Sequence, residues 1–179
     1  MLTTIAIAVA VAVAALLIYA ATKPNTFTVQ RTASIAAPAD RIFPLIDDLH
    51  AHHAWSPFEK DPAMKRTHSG AERGPGAIYE WEGNRQVGKG RIAITASTPS
   101  KVTMALDMIK PFEAHNIVEF ILEPKGSATS VTWAMSGRQP YMAKVMGLFM
   151  NCDKMVGSQF EEGLAKLKTI AERRAAAAA

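Results

Sequence analysis

The stretch YMAKVMGLFMNCDKMVGSQFEEGLAKLKTIAERR, from Tyr141 to Arg174, decides the fold. It contains no proline, and its apolar residues recur at steps of three and four positions, which is the spacing of a helix with one apolar face. This apolar stripe consists of Met142, Val145, Met146, Phe149, Cys152, Val156, Phe160, Leu164, Leu167 and Ile170. We therefore predict one long amphipathic helix of about 30 residues. Cys152 is expected on its buried face, as a small apolar side chain and not as a nucleophile.

Short segments that alternate apolar and polar residues precede this helix, with turn-forming residues between them. The predicted strands are residues 27–35, 64–69, 77–82, 88–96, 102–108, 115–123 and 129–136. Two short helices are expected between the first two strands, and Trp55, in the irregular stretch there, is expected to be a buried packing residue. Short loops make consecutive strands antiparallel, and a lone amphipathic helix needs a sheet face to cover it. The predicted fold is therefore α+β: a helix-grip arrangement with a curved antiparallel sheet of about seven strands and a long C-terminal helix.

The N-terminal segment has a different composition. No charged residue occurs from Leu2 to Thr22, and a helix of this length would span about 30 Å, the thickness of a bilayer core. We expect a transmembrane anchor over residues 1–24, one domain over 25–174 and an alanine tail over 175–179. The alternative is a cleaved signal peptide and an exported domain, which the absence of Lys or Arg before the apolar run disfavours. Lys23 and Arg31 follow the span, so the positive-inside rule places the domain in the cytoplasm.

Composition excludes several classes of protein. The chain has 179 residues, of which 49% are hydrophobic, so it is too apolar to be disordered and has the size of one domain with an appendage. Its single cysteine excludes an internal disulfide or an all-cysteine metal site. The net charge of +4 comes from scattered basic residues, so no nucleic-acid partner is expected. No phosphate-binding or dinucleotide-binding loop is present, and we expect no cofactor and no metal.

Several phrases resemble a known family. They are VQRTASIAAP at 29–38, AWSPF at 54–58, GPGAIYEW at 74–81 and GSQFEEGLAKL at 157–167. On these phrases residues 26–172 resemble the SRPBCC superfamily (START-like or Bet v 1-like helix-grip proteins), in its polyketide cyclase/dehydrase-like bacterial branch. The resemblance implies a hydrophobic cavity between the sheet and the long helix, which holds lipids, polyketides or other apolar small molecules. Some members are cyclases and many are carriers.

Methionine and aromatic residues supply the predicted lining of such a cavity, because flexible thioethers adapt to apolar ligands of varied shape. The candidate ligand-binding residues are Tyr79, Trp81, Met104, Leu106, Met108, Asn116, Phe120, Trp133, Met135, Met142, Met146, Phe149 and Met150. The candidates for a catalytic acid or base are His115, Asp107 and Glu80. A shift of one residue in strand register would move each of these three out of the cavity.

Two other groups of residues contain the residue types of a functional site but lack its characteristic spacing. The His50–His53 cluster beside Asp47 contains metal-ligating residue types, but its spacing matches no established motif, and a solvated loop is the preferred interpretation. Ser56, Asp61 and His68 supply the residue types of a hydrolase triad without the Gly-x-Ser-x-Gly turn that such enzymes use.

Three functions remain open. The first is a membrane-tethered domain that binds a hydrophobic small molecule or lipid. The second is a cyclase-like or dehydratase-like enzyme with an acid or base in its pocket. The third is a protein-interaction domain with a vestigial pocket. An inward-facing acid–base pair would favour the second function, and a filled core would favour the third.

Overall fold

The computed structural model of the protein describes residues 1–177. Its elements are α1 (Leu2–Thr22), β1 (Thr26–Ile35), α2 (Ala39–Asp47), a 3-10 turn (Ala51–Ala54), β2 (Lys65–Gly70), β3 (Ala77–Glu82), β4 (Lys89–Thr98), β5 (Lys101–Lys110), β6 (Ala114–Lys125), β7 (Ala128–Arg138), α3 (Tyr141–Met146) and α4 (Cys152–Ala176). The seven strands form one antiparallel sheet in the order β1-β7-β6-β5-β4-β3-β2. This confirms the predicted α+β helix-grip fold with two short helical segments after the first strand.

The sheet has one buried face because its strands alternate apolar and polar side chains. In β5, Val102 and Met104 are buried, and Leu106 and Met108 follow on the same face. Asp107 lies between them and points to the opposite, outer face. We call the face that α4 covers the inner face.

Helix α4 packs on the inner face along the β1 edge of the sheet. Phe160, Leu164 and Leu167 are each at most 2% exposed, which gives the helix its buried stripe. At the sheet edge, the Arg31 guanidinium of β1 donates hydrogen bonds to the carboxylates of Asp153 and Glu161 on α4. The apolar stripe supplies most of the stabilisation, since partly exposed ion pairs contribute little.

Trp55 fills the space between α2 and the sheet, as predicted. Its side chain is 1% exposed, and its indole Nε1 donates a 2.9 Å hydrogen bond to the carbonyl of Leu45. The ring meets Phe120 and Trp133 edge-on, at centroid distances of 5.7 and 5.6 Å. The prediction of a packing residue in this irregular segment is confirmed.

The prediction of one continuous C-terminal helix is wrong. Helix α3 ends at Met146, and α4 begins only at Cys152, after an irregular stretch. The side chain of Asn151 accepts a 2.9 Å hydrogen bond from the Lys154 amide, and this N-cap favours a helix start here. The prediction of a buried Cys152 is also wrong, because the residue lies exposed in the first turn of α4, ahead of the buried stripe.

Helix α1 is long and apolar enough to cross a membrane, and a signal sequence near an N-terminus has the same character. It lies against α3, and the Tyr141 hydroxyl donates a 2.9 Å hydrogen bond to the Leu17 carbonyl. At the other end of the chain, the predicted tail begins inside α4, and its last two residues lie outside the described part.

Candidate functional site

Aromatic side chains fill the space between α4 and the middle of the sheet. Trp133 stacks on Phe160 of α4 with ring centroids 4.3 Å apart, and Phe120 lies 4.9 Å from Trp133. Met104 beneath them is fully buried. Three predicted ligand-binding residues, Met104, Phe120 and Trp133, therefore belong to the close-packed core. The Trp133 indole Nε1 has no hydrogen-bond partner within residues 1–177.

The inner face continues beyond this core and becomes partly exposed near the end of the sheet that joins α1. Strand pairing aligns Trp81 with Gly90 and Gly90 with Met108 in one row, and Ile92 with Leu106 in the next. The four apolar side chains of these rows are only partly buried, although they face the same side as the core. We call Trp81, Ile92, Leu106 and Met108 the inner-face apolar surface. Gly90 allows the Trp81 ring to lie directly over the neighbouring strand, where an added Cβ would clash with it.

Two further predicted residues border this surface. Asn116 pairs with Leu106 and is partly buried, which places one amide group at the edge of the apolar rows. Met135 is partly buried and packs against the core on the neighbouring strand β7. The structure therefore brings together Trp81, Leu106, Met108 and Asn116 from the predicted lining. Ligand binding at these residues stays a prediction.

Tyr79 has a polar partner that the sequence did not indicate. Its hydroxyl donates a 2.6 Å hydrogen bond to Glu59 Oε1, while Arg66 donates a 2.8 Å hydrogen bond to Glu59 Oε2. Burial, with the Glu59 carboxylate as a second cause, raises the pKa of Tyr79, so the phenol stays protonated. Glu59 lies in the irregular segment before β2, where no periodicity predicts the direction of a side chain.

The predicted acid–base candidates lie on the outer face, away from the apolar surface. His115 Nδ1 lies 2.7 Å from Asp107 Oδ1, and this pair is flanked by Arg91 at 3.7 Å. The Asp107 carboxylate raises the pKa of His115. Glu80 is exposed on the outer face of β3. The pairing of Leu106 with Asn116 on the inner face forces the neighbouring Asp107 and His115 outward, so a pocket base at these positions is not supported.

The histidine cluster does not assemble a metal site. His52 is buried, and its ring Nε2 donates a 2.8 Å hydrogen bond to the Ile46 carbonyl. This burial lowers the pKa of His52 to about 4, so the ring is neutral near pH 7. His50 Nδ1 lies 3.1 Å from Asp48 Oδ1, and the His50 ring stacks on the His68 ring with centroids 4.1 Å apart. Within residues 1–177, no three His, Cys, Asp or Glu side chains are grouped to hold an ion.

Two of the three triad residue types, Ser56 and Asp61, are engaged in local structural contacts. The Ser56 hydroxyl accepts a hydrogen bond from the Phe58 amide, which is a local turn contact. The Asp61 carboxylate accepts hydrogen bonds from the backbone amides of Ala63 and Asn84, both at 2.9 Å. These contacts make Asp61 a loop-fixing residue. The arrangement is structural and supplies no activated nucleophile.

The predicted lining residues after β7 lie on the surface. Met142, Met146, Phe149 and Met150 are 68%, 47%, 75% and 45% exposed, respectively. The break between α3 and α4 turns this part of the chain away from the inner face and places α3 against α1. We call Met142, Met146, Phe149 and Met150 the exposed apolar segment. Its side chains do not border the inner-face apolar surface as a continuous helix would have required.

The sheet, the long covering helix and the partly exposed inner face together define a helix-grip protein. A family model described as "Polyketide cyclase / dehydrase and lipid transport" matches residues 26–172, and the chain belongs to this family. No curated protein matches the chain.

Solved structures show the same fold at low identity. Protein MLL2253 from Mesorhizobium loti is 16% identical with a TM-score of 0.61, over 82% of this chain and 98% of that one. The Aha1 dimer from Colwellia psychrerythraea is 14% identical with a TM-score of 0.58, over 82% and 96%. The di-domain ARO/CYC StfQ from the steffimycin biosynthetic pathway is 12% identical with a TM-score of 0.63, over 84% of this chain and 52% of that one. At these identities the likeness shows the fold alone.

Proposed function

We propose that this protein is a membrane-tethered domain that takes up an apolar small molecule or a lipid on its inner-face apolar surface. The observation that carries this proposal is the partial exposure of Trp81, Ile92, Leu106 and Met108 on the face that elsewhere forms the core. Apolar side chains that share one face and still contact water form a patch of the kind that binds apolar ligands or membranes. The family description, which includes lipid transport, supports the same chemistry.

The position of α1 supports uptake from a bilayer. In this proposal α1 is an uncleaved membrane span, and the domain lies on the cytoplasmic side because Lys23 and Arg31 follow the span. Helix α1 leads directly into β1 at Thr26, and β7 ends opposite this residue, at Arg138. The exposed apolar segment follows β7, and α3 at its start lies against α1 at the end of the sheet where the apolar surface is open. Exposed apolar side chains at that depth would lie in the membrane interface.

The arrangement favours binding over catalysis. His115, Asp107 and Glu80 face solvent on the outer face. The carboxylate that contacts Tyr79, Glu59, is ion-paired with Arg66 and accepts the Tyr79 hydroxyl hydrogen bond, so its charge is already neutralised. A general base needs a free lone pair within reach of the substrate proton, and Glu59 has both oxygens engaged. To act as a general base, Glu59 would first have to give up one of these hydrogen bonds.

Photolabelling of the full chain tests the proposal. The protein in mild detergent is incubated with a diazirine derivative of palmitic acid, irradiated and digested, and the labelled peptides are identified by mass spectrometry. We expect labelled peptides from β3–β5 in addition to α1. Leu106→Trp fills the proposed site and should remove the β3–β5 labels, whereas Ile117→Trp, on the outer face of the adjacent strand and 52% exposed, should leave them.

Near-UV circular dichroism of both variants checks that the domain remains folded. Labels confined to α1 and the exposed apolar segment would contradict the proposal. Labels on β3–β5 that persist in Leu106→Trp would contradict it as well. Either result would favour the protein-interaction function. The filled core between α4 and the middle of the sheet is the feature expected for that function.

A further inference from the structure

A pocket lies outside the inner face, where the end of α1 meets the start of α3. It has a volume of about 510 Å³, and its walls include Ala21, Asn25, Arg138, Tyr141 and Lys144. The Asn25 carbonyl accepts a 2.7 Å hydrogen bond from the Gln139 amide, which ties the α1–β1 linker to the chain after β7. The pocket is therefore framed by backbone contacts between two separate parts of the chain.

The most unusual group in this pocket is the Lys144 ammonium. Lys144 is only 6% exposed, and its Nζ donates a hydrogen bond of 2.6 Å to Asn25 Oδ1, which is a neutral acceptor. Within residues 1–177, neither Lys144 nor Arg138 has a carboxylate oxygen within 4.0 Å. Burying an ammonium costs free energy unless an anion compensates it, so the pocket holds uncompensated positive charge.

The location of the pocket indicates what could supply the anion. Tyr141 donates its hydroxyl hydrogen bond to the carbonyl of Leu17, within the last turns of the apolar span. The Lys23 ammonium donates to the Tyr19 hydroxyl at the same end of α1. If α1 spans a bilayer, this end lies where headgroup phosphates are found, and Lys, Arg and Tyr side chains are typical of that depth.

We infer that the pocket binds a phosphate group, with Arg138 and Lys144 as its two cationic contacts. Arg provides a planar fork of donors and Lys a point charge, and both are common phosphate ligands in proteins. The volume exceeds that of a lone ion and leaves space for the glycerol part of a headgroup. The phosphate arises either from an anionic membrane lipid or from a free phosphorylated compound. This inference is independent of the inner-face apolar surface.

Native mass spectrometry of the full chain in mild detergent tests both sources. In the lipid arm, phosphatidylglycerol competes with phosphatidylcholine of the same acyl chains, and the ratio of the two bound lipids is measured. In the soluble arm, glycerol 3-phosphate is titrated against the lipid-free protein. The variants are Arg138→Gln and Lys144→Met. The matched control is Lys110→Gln, which removes one charge from an exposed residue at the same end of the sheet, outside the pocket.

In the lipid arm we expect the wild type to prefer phosphatidylglycerol, and each pocket substitution to lower the ratio about fivefold, while Lys110→Gln leaves it unchanged. Binding of glycerol 3-phosphate that both pocket variants weaken would support the site and assign it to free compounds. The inference would be overturned if the wild type showed no preference for phosphatidylglycerol and no binding of glycerol 3-phosphate. It would also be overturned if Lys110→Gln lowered the lipid ratio as much as the pocket substitutions do. Because Arg138 is exposed, Arg138→Gln keeps the test valid if Lys144→Met fails to fold. Leu106→Trp blocks only the inner-face site, so a preference for phosphatidylglycerol that persists in this variant and is lost in Arg138→Gln belongs to the pocket, which separates failure of this site from failure of the inner-face site.

Discussion

Gly163→Ala tests how closely α4 approaches the sheet. A Cβ added at Gly163 would lie 2.7 Å from Cζ3 of Trp133 and 2.9 Å from Cδ of Pro57, whereas unstrained carbon contacts are about 3.5–4.0 Å apart. Neither neighbour can yield easily, because Trp133 is stacked on Phe160 and Pro57 is a buried ring. The helix itself must therefore move away from the aromatic cluster.

Two opposing free energies decide the result. Replacing glycine by alanine inside a helix stabilises it by about 1 kcal/mol, through backbone entropy. Overpacking a close-packed core costs about 1–3 kcal/mol. We expect a net loss of about 1 kcal/mol, which for a domain of this size lowers the melting temperature by about 2–4 °C. The melting temperature is measured by thermal unfolding of the full chain in mild detergent. Near-UV circular dichroism is the signal to record, because Trp133 lies at the contact.

Gly157→Ala on the same helix is the control. Its added Cβ would meet the Arg31 guanidinium, which is the far end of a flexible side chain and can swing away. The helix propensity gain should then offset the weakened surface ion pairs, leaving the melting temperature unchanged or slightly raised. An increase of about 2–4 °C for Gly163→Ala would refute the reasoning, because it would show that α4 does not pack at this distance.

Two further perturbations address the core. Leu164→Ala should lower the free energy of unfolding by about 2–5 kcal/mol, because the side chain is 2% exposed. Met155→Ala, at 53% exposure on the same helix, should change it by less than about 0.5 kcal/mol. Similar losses for the two variants in urea unfolding would contradict the assignment of the buried face of α4. His52 has a pKa of about 4 when folded and 6.5 when unfolded, so the unfolded state binds more protons between these two pH values. About 3 kcal/mol of the stability present above pH 6.5 should therefore be lost as the pH falls from 6.5 to 4. This part of the pH dependence should disappear in His52→Gln and persist in the exposed His53→Gln, and an unchanged profile in His52→Gln would exclude His52 as its origin.

The strands were predictable because their faces differ in polarity. The alternation of Val102, Met104, Leu106 and Met108 predicts both the strand and its inner side, and the structure confirms both. The segment that becomes β2 was also located, although it lies at the sheet edge and all six of its residues are exposed. The prediction of β2 rests on the turn-forming residues on either side of it, and not on its periodicity.

The site was less predictable because it depends on register and on a helix boundary. The alternation in β5 already places Asp107 opposite the apolar face, and only the pairing of β5 with β6 shows that His115 lies on the same outer face beside it. The break before α4 left the helical period intact on both sides, so the apolar stripe suggested a continuous helix. The N-cap at Asn151 was the local signal that competed with it.

The chain order explains why the proposed features gather at one end of the sheet. Strand β1 begins directly after α1, and antiparallel pairing places the end of β7 opposite its first residue, with Thr26 aligned to Arg138. The chain that leaves β7 must therefore pass beside the end of α1, which puts α3 and the buried Lys144 against it. The β5–β6 turn and the open rows of the inner face lie at this same end, because β6 begins where β7 finishes. A tether at this end would face the open part of the sheet toward the membrane, whereas a tether after α4 would present the close-packed half. If α1 spans a membrane, the position of this apolar helix before β1 is the feature of the sequence that would link the bilayer to the proposed ligand surface.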